Sequence, residues 1–108
     1  MKPKRTDGEG QLAAAEQALC RAIVSLRTAE ECRNFLHDLC TPAELQALVD
    51  RWQVVELLED GLTYRRINVL TGVSVTTIGR VARFLADGFS GYRTVVDRAA
   101  SRNNPTAH

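Results

Sequence analysis

Apolar residues recur at intervals of three or four along almost the whole of this 108-residue chain. No segment shows the alternation of two that half-buried strands require. The first recurrence covers residues 12–26, and helix-capping residues then open new segments at Thr28, Thr41, Thr63 and Ser74. The pattern predicts an all-α protein of about six helices.

The clearest helix start is the stretch TPAE. Thr41 is the expected cap, Pro42 takes the first helical position and Glu44 completes a capping box. This helix is expected to end near Gly61, which can adopt the left-handed conformation of a helix end. Trp52 belongs to its apolar stripe and is expected in the core. The other members of the stripe are Leu45, Leu48, Val49, Val55 and Leu58.

Length leaves room for one domain with a modest core, which we predict at residues 9–100. Residues 1–8 and 101–108 are expected to be disordered tails. No apolar run approaches the roughly 20 residues that cross a bilayer. The opening MKPKRTDGEG lacks the apolar stretch of a signal peptide. We therefore expect a cytoplasmic protein with no membrane partner.

Charge is unevenly distributed although the net charge is only +1. Residues 1–60 carry 7 Lys/Arg and 11 Asp/Glu, whereas residues 61–108 carry 7 Arg and 2 Asp. The basic C-terminal half predicts a surface that faces a polyanion. The alternative is a chance cluster of solvated arginines.

The cysteines, Cys20, Cys32 and Cys40, are odd in number and lack C-x-x-C spacing. They are expected to be reduced and buried as small apolar residues. Cys32, His37 and Cys40 match no common zinc pattern, so we predict no metal and no other cofactor.

Two short helices joined by a glycine turn at residues 63–86 indicate a helix-turn-helix. With Gly72 as the turn residue, the inward positions fall on Ile67, Val73, Ile78 and Val81. All four are β-branched and apolar, as tight packing between the two helices requires.

The outward side of the second helix is expected to enter the major groove of double-stranded DNA. Small side chains let the helix approach closely, and Val75 and Thr76 methyls can meet thymine methyls. Gly79 costs roughly 1 kcal/mol relative to Ala inside a helix, which makes sense where the backbone approaches a groove. An Arg can pair with guanine or phosphate. The predicted DNA-binding residues are Arg65, Arg66, Ser74, Val75, Thr76, Thr77, Gly79, Arg80 and Arg83.

An ordinary corner of two helices with a solvated basic face is the alternative to a helix-turn-helix. Asn68 does not fit the helix-turn-helix well, because it lies where the two helices come closest, a site that normally takes Ala or Gly. A buried Asn needs hydrogen-bond partners, and it can cap or brace the turn.

The chain also resembles the tryptophan-repressor superfamily, and within it the small TrpR-related proteins of the YerC/YecD type. The resemblance rests on FLHDLCTPAEL, the helix ending in LLEDG, TGVSVTTIGRV and the downstream GY. It implies an intertwined homodimer whose N-terminal helices interlock, each subunit presenting one helix-turn-helix to half of an operator.

The resemblance further implies a possible effector pocket, since Arg51 and Arg80 align with the two arginines that hold tryptophan in the repressor. Val81 replaces a glycine of that pocket and Phe84 replaces a ligand-binding serine. Both changes add hydrocarbon, so we expect little volume for an indole and an effector other than tryptophan, if there is one. Arg80 is then first a DNA residue, and Arg51 an ion-pair or dimer-contact residue. The possible pocket comprises Arg51, Thr77, Arg80, Val81 and Phe84.

The leading interpretation is therefore a homodimeric, sequence-specific DNA-binding transcription regulator, a repressor. One alternative is a helix-turn-helix used to bind protein. Another is a regulator that responds to an unidentified small molecule. An enzyme is not expected, because the histidines are only His37 and His108 and no Walker loop, G-x-S-x-G motif or carboxylate pair is present.

Overall fold

The computed structural model describes residues 8–103, which form six α-helices and no strand. The all-α prediction with about six helices is confirmed. None of the described helices is long and apolar enough to cross a membrane. The helices are α1 (Gly8–Val24), α2 (Ala29–Leu39), α3 (Pro42–Glu59), α4 (Tyr64–Thr71), α5 (Val75–Asp87) and α6 (Gly91–Asn103).

Both outer helices extend slightly beyond the predicted domain. α1 begins at Gly8, and α6 continues to Asn103, so residues 101–103 are helical where disorder was expected. Pro105 is the first residue after Gly91 that disfavours helix in its predecessor. The rest of the predicted tails, residues 1–7 and 104–108, lies outside the described residues.

Helix ends follow the capping residues of the sequence. The Thr28 hydroxyl oxygen accepts a hydrogen bond from the Glu31 amide at 3.0 Å. The Glu31 carboxylate accepts from the Arg27 amide at 2.9 Å, one residue before the cap. Gly61 has a φ of 86°, as predicted for the residue after α3. Ser90, the residue before α6, has a positive φ of 70°. Its carbonyl oxygen accepts a hydrogen bond from the Thr94 amide at 2.9 Å.

The described chain divides into two compact units, one ending at Pro42 and one beginning at Ala43. In the first unit, neither α1 nor α2 buries a side chain. The prediction of one domain over residues 9–100 stays a prediction. The large apolar residues left exposed on these two helices are Leu12, Leu19, Ile23, Val24 and Leu39.

The second unit holds the core, which α3, α4, the turn and α5 build together. The four inward positions predicted for the helix-turn-helix are all buried. Trp52 packs against this core with part of its surface exposed. The fully assembled core is Val54, Val55, Ile67, Val73, Ile78 and Val81.

The predicted stripe on α3 is only partly right. Val55 is buried, but Val54, which lies outside the stripe, is buried beside it, whereas Leu48 and Val49 are exposed. α3 carries apolar residues on several sides, so its spacing does not select one face. Only its C-terminal half meets α4 and α5 in the core.

Asn68 braces the turn between α4 and α5. Its side-chain amide donates a hydrogen bond to the Val73 carbonyl at 2.9 Å. The Thr71 hydroxyl donates to the Ile67 carbonyl at 2.7 Å and accepts from the Val73 amide at 3.0 Å. Gly72, with a φ of 77°, ends α4 in the left-handed conformation. Two side chains that precede the glycine thus hold the Val73 backbone that follows it.

An ion pair joins the end of α3 to α6. Arg93 donates to both Glu59 carboxylate oxygens, at 3.1 and 2.8 Å, and lies 3.5 Å from Asp97. These hydrogen bonds, and then the Arg93 charge, hold the pKa of the Glu59 carboxyl below its usual value. The pair links α6 to α3 within the unit that carries the helix-turn-helix.

We expect a pH-dependent stability contribution from this pair. Because the pKa of Glu59 is lower in the folded state, the contribution is complete above the unfolded-state pKa. It disappears as the pH falls through the folded-state pKa. Urea unfolding should therefore find Glu59→Gln less stable than wild type at neutral pH, and this difference should shrink as the pH falls through the folded-state pKa of Glu59. Glu56→Gln, on an exposed site of the same helix, is the control; a Glu59→Gln deficit that persisted at acid pH would contradict the assignment.

Candidate nucleic-acid interface

The side of α5 turned away from the core carries the predicted DNA-binding residues. Val75, Thr76, Arg80 and Arg83 are exposed on α5, and Gly79 is partly buried between them. Arg65 and Arg66 are exposed on the first turn of α4. We call this surface the outward face, comprising Arg65, Arg66, Val75, Thr76, Gly79, Arg80 and Arg83.

Two predicted contact residues have part of their hydrogen-bonding capacity occupied within the protein. The Ser74 hydroxyl accepts from the Thr77 amide at 3.1 Å and donates to the Thr77 hydroxyl oxygen at 3.0 Å. Ser74 is therefore the N-terminal cap of α5. Its main effect is to fix where the helix begins.

The arginines of the outward face are not neutralised by neighbouring carboxylates. Within residues 8–103, the ion pairs are those of Arg93 with Glu59 and Asp97. Arg65, Arg66, Arg80 and Arg83 thus present their full charge to solvent. An unpaired cluster of this kind attracts a polyanion and releases its counterions on binding.

An open groove of about 840 Å³ lies beside the outward face, between α3, α5 and α6. All five residues of the predicted effector pocket line it. Arg51 and Arg80 supply two positive charges, and no Asp or Glu belongs to the lining. The ion-pair alternative for Arg51 finds no partner in the described chain. The lining consists of Arg51, Trp52, Thr77, Arg80, Val81, Phe84, Phe89, Gly91, Tyr92 and Val95.

Val81 and Phe84, the two residues expected to fill the effector pocket, both line the groove but differ in exposure. Val81 is 1% exposed, so most of its side chain packs in the core behind the groove wall. Phe84 is 41% exposed and lies with its ring centroid 5.8 Å from the Arg80 guanidinium carbon. The expectation that these two residues leave little volume for an indole stays a prediction. The preference against tryptophan itself stays a prediction.

Sequence reasoning missed several aromatic residues. Trp52 and Tyr92 lie with ring centroids 6.4 Å apart in the groove wall, and Phe89 is 97% exposed at its edge. Tyr64 lies next to the outward face, where it is the closest side chain to Gly79. The stretch TYRR, with an aromatic residue directly before two arginines, could have identified Tyr64 as a member of this surface.

Metal-ligating side chains do not converge. In the part of the chain that the structure describes, no three His, Cys, Asp or Glu residues could hold a metal ion. Cys20, Cys32 and Cys40 are free thiols, but Cys20 is exposed and the other two are only partly buried, whereas all three were expected to be buried. α1 buries no side chain in the described chain, which accounts for the exposure of Cys20.

The fold and this surface together define an all-α helix-turn-helix protein with a basic outward face and an adjacent groove. The family model of the Trp repressor protein matches residues 14–100, and the chain belongs to that family. Members are typically DNA-binding regulators rather than enzymes. The family resemblance drawn from the sequence is confirmed.

Three relatives illustrate the match. The uncharacterized protein YerC of Bacillus subtilis is 44% identical over 80 residues, which cover 74% of this chain and 77% of YerC. A TrpR-like protein from Eubacterium eligens has a crystal structure with a TM-score of 0.76 and 38% identity, covering 81% of this chain and 90% of its own. A candidate Trp repressor from Staphylococcus aureus matches with a TM-score of 0.75 and 41% identity, covering 81% and 87%.

Proposed function

We propose that this chain is a sequence-specific DNA-binding transcription regulator, a repressor, that contacts the major groove with α5. The observation that carries the proposal is the division of α4 and α5 into two sides. Ile67, Ile78 and Val81 are buried on one side, and the unpaired arginines lie on the other. A solvated corner of two helices would explain the buried apolar side, but it gives no reason for a cluster of unpaired arginines on the other side.

The roles within the outward face follow from position and chemistry. Val75 and Thr76, in the first turn of α5, have short side chains that suit contact with base edges. Arg65, on α4, suits a phosphate, which fixes register without carrying sequence information. Arg83 lies two turns further along α5 and suits either a base or a phosphate.

The direct test begins with selection of bound sites from random double-stranded DNA. Affinity for the selected duplex should fall steeply between about 50 and 200 mM salt. Arg65→Ala should weaken binding to all sequences alike and reduce the salt slope by about one ion. Thr76→Ala should change the preferred base at particular positions, by roughly 1–3 kcal/mol.

Arg98→Ala is the matched control, because it removes an exposed positive charge from α6, outside the outward face. Its effect on affinity should be much smaller than that of Arg65→Ala. If Arg65→Ala altered sequence preference and Thr76→Ala did not, the assignment of α5 to the groove would be wrong. Failure to enrich any DNA would favour a helix-turn-helix that binds protein.

We also propose that the regulator is a homodimer. The support is the apolar surface of α1 and α2, whose large residues Leu12, Leu19, Ile23 and Val24 are exposed within the described chain. Burying such residues contributes about 25 cal/mol per Å² of apolar surface. Sedimentation at micromolar concentration should give a dimer, and Leu19→Glu should shift it towards monomer. A wild-type monomer that unfolds cooperatively would contradict the proposal.

A second candidate is a regulator that responds to a small molecule, which the groove favours. Thr77 and Arg80 belong both to α5 and to the groove wall, so a ligand there would alter the helix that is proposed to contact DNA. Two arginines and several aromatic rings suit a ligand with a carboxylate and an apolar body. Calorimetry with such compounds, in the presence and absence of the selected duplex, tests this candidate. A ligand that binds without changing DNA affinity would exclude it.

A further inference from the structure

Gly79 occupies the interior of α5 without an internal reason to be glycine. A Cβ added there would meet only the Tyr64 Cε2 atom, at 3.9 Å, which is an ordinary van der Waals distance. Its backbone is not in the left-handed region, unlike that of Gly72. Glycine is among the least favourable residues in a helix interior, so packing within the described chain leaves its presence unexplained.

Tyr64 is the neighbour that makes this position informative. It is the first residue of α4 and is 43% exposed, although its ring edge faces Gly79 of α5. Within the described part of the chain, its hydroxyl takes part in no hydrogen bond. Tyr64 therefore offers an apolar ring and a free hydroxyl on the surface shared by the two helices.

The spacing along α5 separates Gly79 from the residues proposed to contact bases. Gly79 lies four residues after Val75, which is about 6 Å along a helix axis at roughly 1.5 Å per residue. The major groove is roughly 12 Å wide, so its centre lies about 6 Å from each sugar–phosphate wall. A helix that crosses the groove, with its first turn at the bases in the centre, therefore reaches a wall about four residues later. Arg65, the next residue after Tyr64, adds an exposed positive charge to the same first turn of α4.

We propose that Tyr64 and Gly79 together form a contact site for the DNA sugar–phosphate backbone, a role that rests on the proposed DNA-binding function. The missing side chain of Gly79 lets a deoxyribose approach the helix backbone, the Tyr64 ring packs against that sugar, and the Tyr64 hydroxyl donates to a phosphate oxygen. The pair thus sets how deeply α5 enters the groove, whereas the residues of its first turn distinguish the bases.

Two substitutions separate the contact from folding. Tyr64→Phe removes only the hydroxyl and should weaken binding about tenfold, equally for the selected duplex and a random one. The salt slope should stay unchanged, because tyrosine releases no counterion. Gly79→Ala should also weaken binding by about tenfold or more, while raising the melting temperature by a few degrees, since alanine is the better helix former.

Gly10→Ala is the matched control, since it makes the same change at an exposed position of α1. It should leave DNA affinity unchanged. If wild type binds DNA and either Tyr64→Phe or Gly79→Ala binds within twofold of wild type, the proposed contact site is wrong while the DNA-binding function stands. If wild type binds no duplex, both proposals fail.

Discussion

Replacing Ile78 by alanine is expected to lower the free energy of unfolding by about 2–5 kcal/mol. Ile78 is fully buried on α5 and packs in the core with Ile67 and Val81. Truncation removes buried hydrocarbon and leaves a cavity between the two helices that define the turn. Domains of this size have only roughly 5–15 kcal/mol of stability in total, so the loss is a large share of what holds α5 in place.

Val75→Ala is the control, because Val75 is on the same helix but 53% exposed. Its effect on stability should stay within about 0.5 kcal/mol. Urea unfolding at one fixed protein concentration measures both variants, and the midpoint should move for Ile78→Ala without a change in slope. An Ile78→Ala variant as stable as Val75→Ala would mean that α4 and α5 do not pack as described.

The helix-turn-helix core could be predicted from sequence because its geometry allows few solutions. Once Gly72 was taken as the turn, the spacing of β-branched residues selected Ile67, Val73 and Ile78, and all are buried. Local rules were sufficient here, since a tight turn between short helices leaves little freedom for tertiary context to override them.

The role of Asn68 could not be predicted from the sequence. Its position at the helix crossing could be deduced, but the partner of its amide is the Val73 carbonyl, five residues away across the turn. A side chain with two donors and one acceptor can satisfy itself in several ways. Only the path of the turn decides among them.

Long-range pairs were beyond sequence reasoning for a related reason. Glu59 and Arg93 are 34 residues apart, and nothing in their local spacing links α3 to α6. Five of the ten residues that line the groove were predicted, but its extension to α6 was not. The burial of Val81 agrees with its inward position in the predicted helix-turn-helix.

L-Tryptophan is expected neither to bind this groove tightly nor to tighten DNA binding. The wall offers the carboxylate two arginines, Arg51 and Arg80, but offers the ammonium group no carboxylate. Phe84 lies where the related repressor has a serine that meets the ligand amine. Loss of a hydrogen bond to a charged group costs roughly 1.5–3 kcal/mol, which corresponds to about a 10- to 100-fold weaker affinity.

Calorimetry at millimolar concentration, with and without the selected duplex, tests this directly. 3-(Indol-3-yl)propionate, which keeps the ring and the carboxylate but lacks the amine, should bind more tightly than L-tryptophan. Phe84→Ser should improve tryptophan binding relative to wild type at little cost in stability, since Phe84 is substantially exposed. Val81→Gly is unsuitable, because removing a buried valine from the core would destabilise the fold. Clear heat of L-tryptophan binding to wild type, together with tighter DNA affinity, would contradict this prediction. The ammonium group would then be satisfied by backbone carbonyls or by Thr77, and Phe84 would not exclude tryptophan from the groove.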